Sequence, residues 1–226
     1  MLYQSVQHSW TEWSNMIYDG EDATRKGGSM SGRKQFDVDQ ALDRAMEIFW
    51  ERGYAETSLD LLGSATGLGK GSLYGTFGGK EPLFRQALDR YAQTFGRRYE
   101  EALALHPKDP VAAVAAFYGI VLDRIVDPTL PGGCLIALSA SQVPTLDPAS
   151  QEKVRELLAR QRRRIRAAFP RPDEVEPELD NLACFVVAVN QSLAVMNRAG
   201  ASLEELRAIV RTATAAVASG LAEFGV

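Results

Sequence analysis

The chain is predicted to be all-α, and three observations carry that reading. Apolar residues recur at three- and four-residue spacing along most of its length, and no stretch alternates as a strand would. Helix starts are written into the sequence at Asp109-Pro110, Asp147-Pro148 and Ser202 to Glu205, which pair a capping side chain with an N1 proline or a capping box. The intervening connections are short. Three parts are expected: a disordered N-terminal extension over residues 1–32, a compact helical unit over 33–80, and a larger helical domain over 81–226.

Residues 1–32 hold scattered aromatics without a period and end in a Gly- and Ser-rich run. They lack the basic start and apolar run of a signal peptide. Met30 stands so close to the first organised helix that a translation start there is an open alternative. That helix is expected from about Val38 to Arg52, capped by Asp37 and stopped by Gly53, with Ala41, Leu42, Ala45, Ile48 and Phe49 inward. Arg33 and Lys34 precede it on an arm that can reach phosphates or a minor groove.

Residues 57–80, TSLDLLGSATGLGKGSLYGTFGGK, read as a helix-turn-helix. Thr57 is expected to cap the first helix, with Asp60 adding a favourable charge at that end. Leu59 and Leu62 face inward, Gly63 permits a close crossing, and Gly67 supplies the positive φ of the turn. In the second helix, Lys70 to Phe77, Leu73 and Phe77 point inward. Lys70, Gly71, Ser72, Tyr74, Gly75 and Thr76 look out, a thin, hydroxylated, basic face suited to a DNA groove. The next helix begins near Lys80 and runs through Leu83, Phe84, Ala87, Leu88, Tyr91 and Phe95. Its first turn touches the reading head and its far end enters the larger domain.

This segment resembles the DNA-binding end of TetR-type (TetR/AcrR) transcriptional regulators. Thr57, Gly67, Leu68, Lys70, Gly71, Ser72, Leu73, Tyr74, Phe77 and Lys80 match the pattern, and residues 41–58 resemble that family's first helix. Gly69 departs from the usual Ser, Thr66 from Ala, and Gly75 from a larger contacting side chain. The resemblance implies an N-terminal three-helix DNA-binding domain joined by a shared helix to a C-terminal ligand-binding and dimerisation domain. DNA contacts are expected at Arg33, Lys34, Thr57, Lys70, Gly71, Ser72, Tyr74, Thr76 and Lys80; Ser72 and Thr76 are read as base readers, and the resemblance puts Tyr74 on a phosphate.

The chain has 226 residues, 46% hydrophobic and 24% charged, and a net charge of −4, so attraction to nucleic acid must come from local placement. Residues 37–60 carry seven acids against Arg44 and Arg52; residues 69–98 carry six bases against Glu81 and Asp89. That step is expected to mark the side meeting phosphates. Two cysteines without ligand spacing, Cys134 and Cys184, fit a reduced cytoplasmic protein with no metal site. The longest run without a polar residue, Val111 to Leu122, is shorter than the roughly 20 residues of a membrane span.

Beyond Asp109, helices are expected near 110–127, 133–142, 148–169, 177–198 and 202–224. A small-molecule effector is expected against Tyr91, Phe95, Phe117, Tyr118, Cys134 and Gln191, although residue for residue plain core is the better reading of the aromatics among them. Cys134, at a helix start, is either a thiolate sensor or a small buried hydrophobe. Arg155, Arg160, Arg162, Arg163, Arg164, Arg166 and Arg171 scatter around one helix as a solvated face. The last two helices, with Leu182, Ala183, Phe185, Val186, Val189, Leu193 and Met196 on one and Leu203, Leu206, Val210, Ala213, Val217 and Leu221 on the other, form the expected homodimer seam.

No catalytic constellation is legible: His8 and His106 stand apart from any nucleophile, and GLGKG at 67–71 lacks P-loop spacing. The expected function is a ligand-responsive DNA-binding regulator, most often a repressor, on a double-stranded palindromic operator, without cofactor or membrane. The alternative is control by a protein partner or by Cys134 oxidation.

Overall fold

The computed structural model describes residues 37–171, 174 and 176–224. Arg33, Lys34 and the extension lie outside the described residues. Among the described residues there are nine α-helices and a short 3-10 turn, and no strand.

Helix α1 (Val38–Arg52) starts where the Asp37 carboxylate accepts from the backbone N–H groups of Asp39 and Gln40, and ends at Gly53, whose φ of 78° returns its N–H to Phe49 O. It buries Ala41, Ala45, Met46, Phe49 and Trp50, leaving Leu42 and Ile48 half-buried. The buried stripe is rotated from the expected one because α1 is covered from several sides. Helix α2 (Leu59–Thr66) and the long α4 (Lys80–Ala104) pack on it, and so does α6 (Leu135–Ser141). The short α3 (Lys70–Phe77) completes the first three-helix unit.

Helix α4 belongs to both halves of the molecule. It buries Leu83, Phe84, Ala87, Leu88, Tyr91 and Phe95 as the spacing predicts, its start against α1 and its remainder against α5 (Pro110–Val126) and α7 (Pro148–Ala167). The local start signals hold: Asp109 accepts from Ala112 N, Asp147 from Ala149 N and Ser150 N, and Ser202 forms a complete capping box with Glu205. Between α6 and α7 lies the 3-10 turn Val143–Thr145. Helices α8 (Pro177–Arg198) and α9 (Leu203–Ala222) pack on each other and against α5. By length and composition alone α8 is apolar enough to cross a membrane. Here it is a bundle helix, with Leu179, Ala183, Val186 and Leu193 buried.

Three side chains tie the two halves together. Arg198 donates to Trp50 O (3.1 Å) and Glu51 O (2.8 Å) at the end of α1, where orphan carbonyls collect. Gln142 accepts from Tyr54 N at 2.8 Å. The amide of Gln142 lies so close to Gly53 that a Cβ there would sit 2.6 Å from it, so this turn requires glycine twice over. Arg90 pairs with Asp43 of α1 (2.7 Å), and Arg85, earlier on α4, holds the start of α7 through Asp147 (3.1 Å) within the larger half.

The expected solvated arginine face is corrected at Arg166. It is buried, donating to Asp180 and to the carbonyls of Pro170, Arg171 and Glu174, because it stands where α7 ends and unpaired carbonyls need a donor.

Candidate nucleic-acid interface and the cavity behind it

The cap of α2 is Ser58, whose Oγ accepts from Leu61 N at 3.1 Å. Thr57 is corrected in both of its expected roles. It is 1% exposed, and its hydroxyl donates to Gly53 O at 2.6 Å, so it locks the loop and offers nothing to a phosphate. Gly67 takes φ 72° at the turn, and a Cβ on Gly63 would lie 2.9 Å from Leu68 O. The close approach at Gly63 is therefore to the backbone of the turn at Leu68, not to the second helix.

On α3, Leu73 and Phe77 are buried while Lys70, Gly71, Ser72, Tyr74, Gly75 and Thr76 are exposed. Gly69 caps without a side-chain bond, so first-turn N–H groups stay free for an anion. The Tyr74 ring, 54% exposed, leans over Gly79. Beside it Lys80 opens α4, its Nζ 4.1 Å above the Tyr54 ring, where burial lowers its pKa from the usual lysine range. Tyr54 in turn donates to Glu81 at 3.0 Å, and burial together with that carboxylate pushes its phenol up to about 12. Lys70 is paired with Asp60 at 2.9 Å, a hydrogen bond that raises its pKa.

The expected charge step does not survive as a DNA-facing patch. Arg85 is consumed by Asp147 within the larger half and Arg90 by Asp43 between the halves, and Arg97 lies 3.6 Å from Glu101. Among the described residues, the cations at α3 and the start of α4 are Lys70, paired with Asp60, and Lys80.

Of the expected effector contacts, Tyr91, Phe95 and Cys134 line one narrow internal cavity of about 10 Å³, together with Tyr99, Gln161 and Asn190. Gln191 stands next to it, donating to Gln161 at 2.7 Å. Phe117 and Tyr118 do not line it. Phe117 packs edge-on against Tyr99, and Tyr118 donates to Val186 O; both are core on the inward face of α5. Cys134 is 4% exposed and accepts from Tyr91 O–H at 3.3 Å, so the exposed thiolate reading is corrected to a buried thiol.

The sequence reading passed over Trp50, Arg124, Gln161 and Asn190. Arg124 had a signal: it continues the buried stripe of Phe117 and Val121 at helical spacing, an arginine where an apolar residue belongs. Outside the cavity a cleft of about 780 Å³ opens between α4 and α7, and Arg160 and Arg164 line both spaces.

The thin exposed helix seated by a glycine turn and followed by a lysine defines a helix-turn-helix protein of the DNA-binding class. Residues 41–87 match the bacterial regulatory proteins of the tetR family. The chain is 34% identical over 200 residues to the HTH-type transcriptional repressor ComR of Escherichia coli K12, covering 84% of this chain and 94% of that protein. It is also 34% identical over 116 residues to the uncharacterised HTH-type transcriptional regulator YezE of Bacillus subtilis, 51% of this chain and 59% of that one. A solved structure of a cysteine mutant of the TetR family regulator CifR, complexed with 26-bp double-strand operator DNA, aligns with a TM-score of 0.74. It is 30% identical and covers 82% of this chain and 99% of its own. The chain belongs to the tetR family and is a DNA-binding transcriptional regulator.

Proposed function

We propose that the chain is a homodimeric repressor, bound to a roughly palindromic operator through α3 and released by a small molecule that enters the cavity beside α4. The observation that carries this reading is Trp50. It belongs to α1 of the DNA-binding unit, yet its ring packs edge-on against Tyr91 and Phe95 of the cavity wall, with centroids 4.8 and 5.4 Å away. A cavity of about 10 Å³ holds little more than one water, so any organic ligand must push that wall apart and move α1 with it.

Release follows only if the ligand binds the widened state more tightly than the closed one. The closed state described here is then the operator-binding one. Two copies of α3 would enter successive major grooves about 34 Å apart. CifR on a 26-bp operator and ComR as a repressor support that arrangement. Residues 33–80 would serve as the reading domain and 81–226 as the sensing and pairing domain. Ser72 and Thr76 are assigned to base edges, and Tyr74 and Lys80 to phosphates.

Selecting bound fragments from random duplexes, then adding a cell's small-molecule fraction to the selected complex, tests the reading. Binding followed by release supports it; a purified dimer that ignores every duplex at low salt refutes it. Oxidation of Cys134, the alternative signal, must first reach a thiol closed off by Tyr91. Oxidant-driven release that Cys134→Ser abolishes would put that signal ahead of the small molecule.

A further inference from the structure

The guanidinium of Arg124 is 2% exposed and lies in no ion pair with a carboxylate among the described residues. Its Nε donates to Tyr99 Oη at 2.9 Å and its Nη1 to Gly133 O, while its buried Nη2 has no hydrogen-bond partner among the described residues. Burial pushes the phenols of Tyr91 and Tyr99 up, so both stay neutral and neither supplies a counter-charge. Arginine keeps its proton in any such setting. A buried cation is normally paired with a carboxylate; this one has two aromatic faces, Trp50 and Phe95, in place of one.

A second orphan donor stands beside it. Trp50 is fully buried and its Nε1–H has no acceptor among the described residues. The Arg124 Cζ lies 5.9 Å from the Trp50 ring centroid and 5.8 Å from that of Phe95. Neither residue lines the internal cavity: Trp50 packs on its Tyr91 and Phe95 wall and Arg124 lies over Phe95 and Trp50, so a ligand that parts this wall reaches them. The lining itself holds Arg160 and Arg164 and, among the described residues, no carboxylate. The outer cleft, which shares Arg160 and Arg164 with the cavity, carries Lys108, Arg160, Arg163 and Arg164 against Glu100, which pairs with Arg164 at 2.7 Å. A basic mouth, an apolar aromatic wall and two unsatisfied donors at its back are complementary to one chemistry.

We infer that the effector is a small organic acid with an apolar body, whose carboxylate accepts from Arg124 Nη2 and Trp50 Nε1 while its body lies against Tyr91, Phe95 and Leu157. The planar fork of arginine matches a carboxylate, and the aromatic wall takes the ring or chain that phosphate lacks. The inference rests on the small-molecule reading proposed above and adds the class of molecule. It also gives the signal a direct route, because one of the two donors belongs to α1.

The test uses the full chain with Trp10 and Trp13 changed to Phe, so that Trp50 alone reports. Benzoate, phenylacetate and octanoate are titrated against benzamide, phenylacetamide and octanamide, with inorganic phosphate as a further arm. Fluorescence and thermal unfolding are followed, and operator release by each compound is scored in parallel. The acids should bind, shift Trp50 emission and raise Tm, and the amides and phosphate should do so at least roughly tenfold more weakly, as the loss of a charge-assisted bond requires. Arg124→Met removes the unpaired charge while filling its space, and should stay folded yet lose the acid response. Trp50→Phe keeps the ring and loses the N–H, and thermal unfolding should show weaker acid binding.

Amides binding as tightly as acids, phosphate binding better than either, acid binding unchanged in both variants, or no binding by any probe would each overturn the inference. Release of the operator by an amide would do so while leaving the small-molecule reading intact. Failure of every compound and of cell extract to release the operator would remove that reading instead.

Discussion

Thr57 and Ser58 are adjacent hydroxyl residues with opposite duties, and the difference is one of backbone placement. Ser58 sits at the extended cap position and accepts from Leu61 N; Thr57, one residue earlier, turns inward to close the loop on Gly53 O. Either hydroxyl fits the sequence, since both lie within reach of a first-turn N–H. Ser58→Ala should destabilise the fold by about 1 kcal/mol through the lost cap. Thr57→Val should do so by about 1–2 kcal/mol by removing the buried donor to Gly53 O. Urea denaturation measures both, with an unchanged slope marking a native-state effect. The two lysines divide in a comparable way. Lys80→Ala should weaken binding to every duplex and reduce the salt slope by about one. Asp60→Asn, which frees Lys70 from its partner, should tighten binding to every duplex, with a gain that fades as salt rises. A change in preference at one operator base for either variant would reassign that lysine to base reading.

At the scale of the element, α3 carries two glycines on its outward face where a propensity argument alone would avoid them. Around a Cβ built on Gly75 there is nothing within 4 Å, so the fold does not require glycine there. Gly75→Ala should stabilise the free protein by up to about 1 kcal/mol. If α3 lies against base edges, the same methyl group should weaken operator binding, and a thermal melt beside a titration reads both. Stability gained with affinity unchanged would place Gly75 away from the groove. Helix boundaries were legible in the sequence because caps and stops act within four residues: α3 and α8 fall where expected, as do the starts at Pro110 and Pro148. The interior of the sensing half was not legible to the same degree. Arg198 reaches Trp50 O across 148 residues, and Arg124 meets Trp50 through packing alone, so no local pattern announces them. Arg198→Ala tests whether that link carries the signal. Removing the donor that caps the α1 carbonyls should destabilise by about 1–3 kcal/mol and, in operator-release titrations, require more effector for the same release.

For the whole molecule, the apolar residues expected at the dimer seam divide into two sets. Ala183, Val186 and Leu193 of α8, with Leu206, Ala213, Val217 and Leu221 of α9, are buried within one chain. Phe185 at 39% and Met196 at 38% exposure remain outside. Cys184, Ala188, Ser192 and Val195 extend their line along α8, and Thr212, Ala215, Ala216 and Ser219 give α9 a flat outward face beside it. One chain leaves this apolar stripe open to water, and a second copy covers it most simply about a two-fold axis, where each face meets itself. Symmetry makes the test sharp: Phe185→Glu places the new carboxylate twice in one interface, so the two charges lie near each other as well as desolvated. The variant should retain its helical circular dichroism, since Phe185 is not core, and should sediment as a monomer at micromolar concentration. It should also lose operator affinity by roughly 10²–10⁴-fold, the advantage that two linked half-sites hold over one. A variant that stays dimeric with full operator affinity would move the seam away from α8.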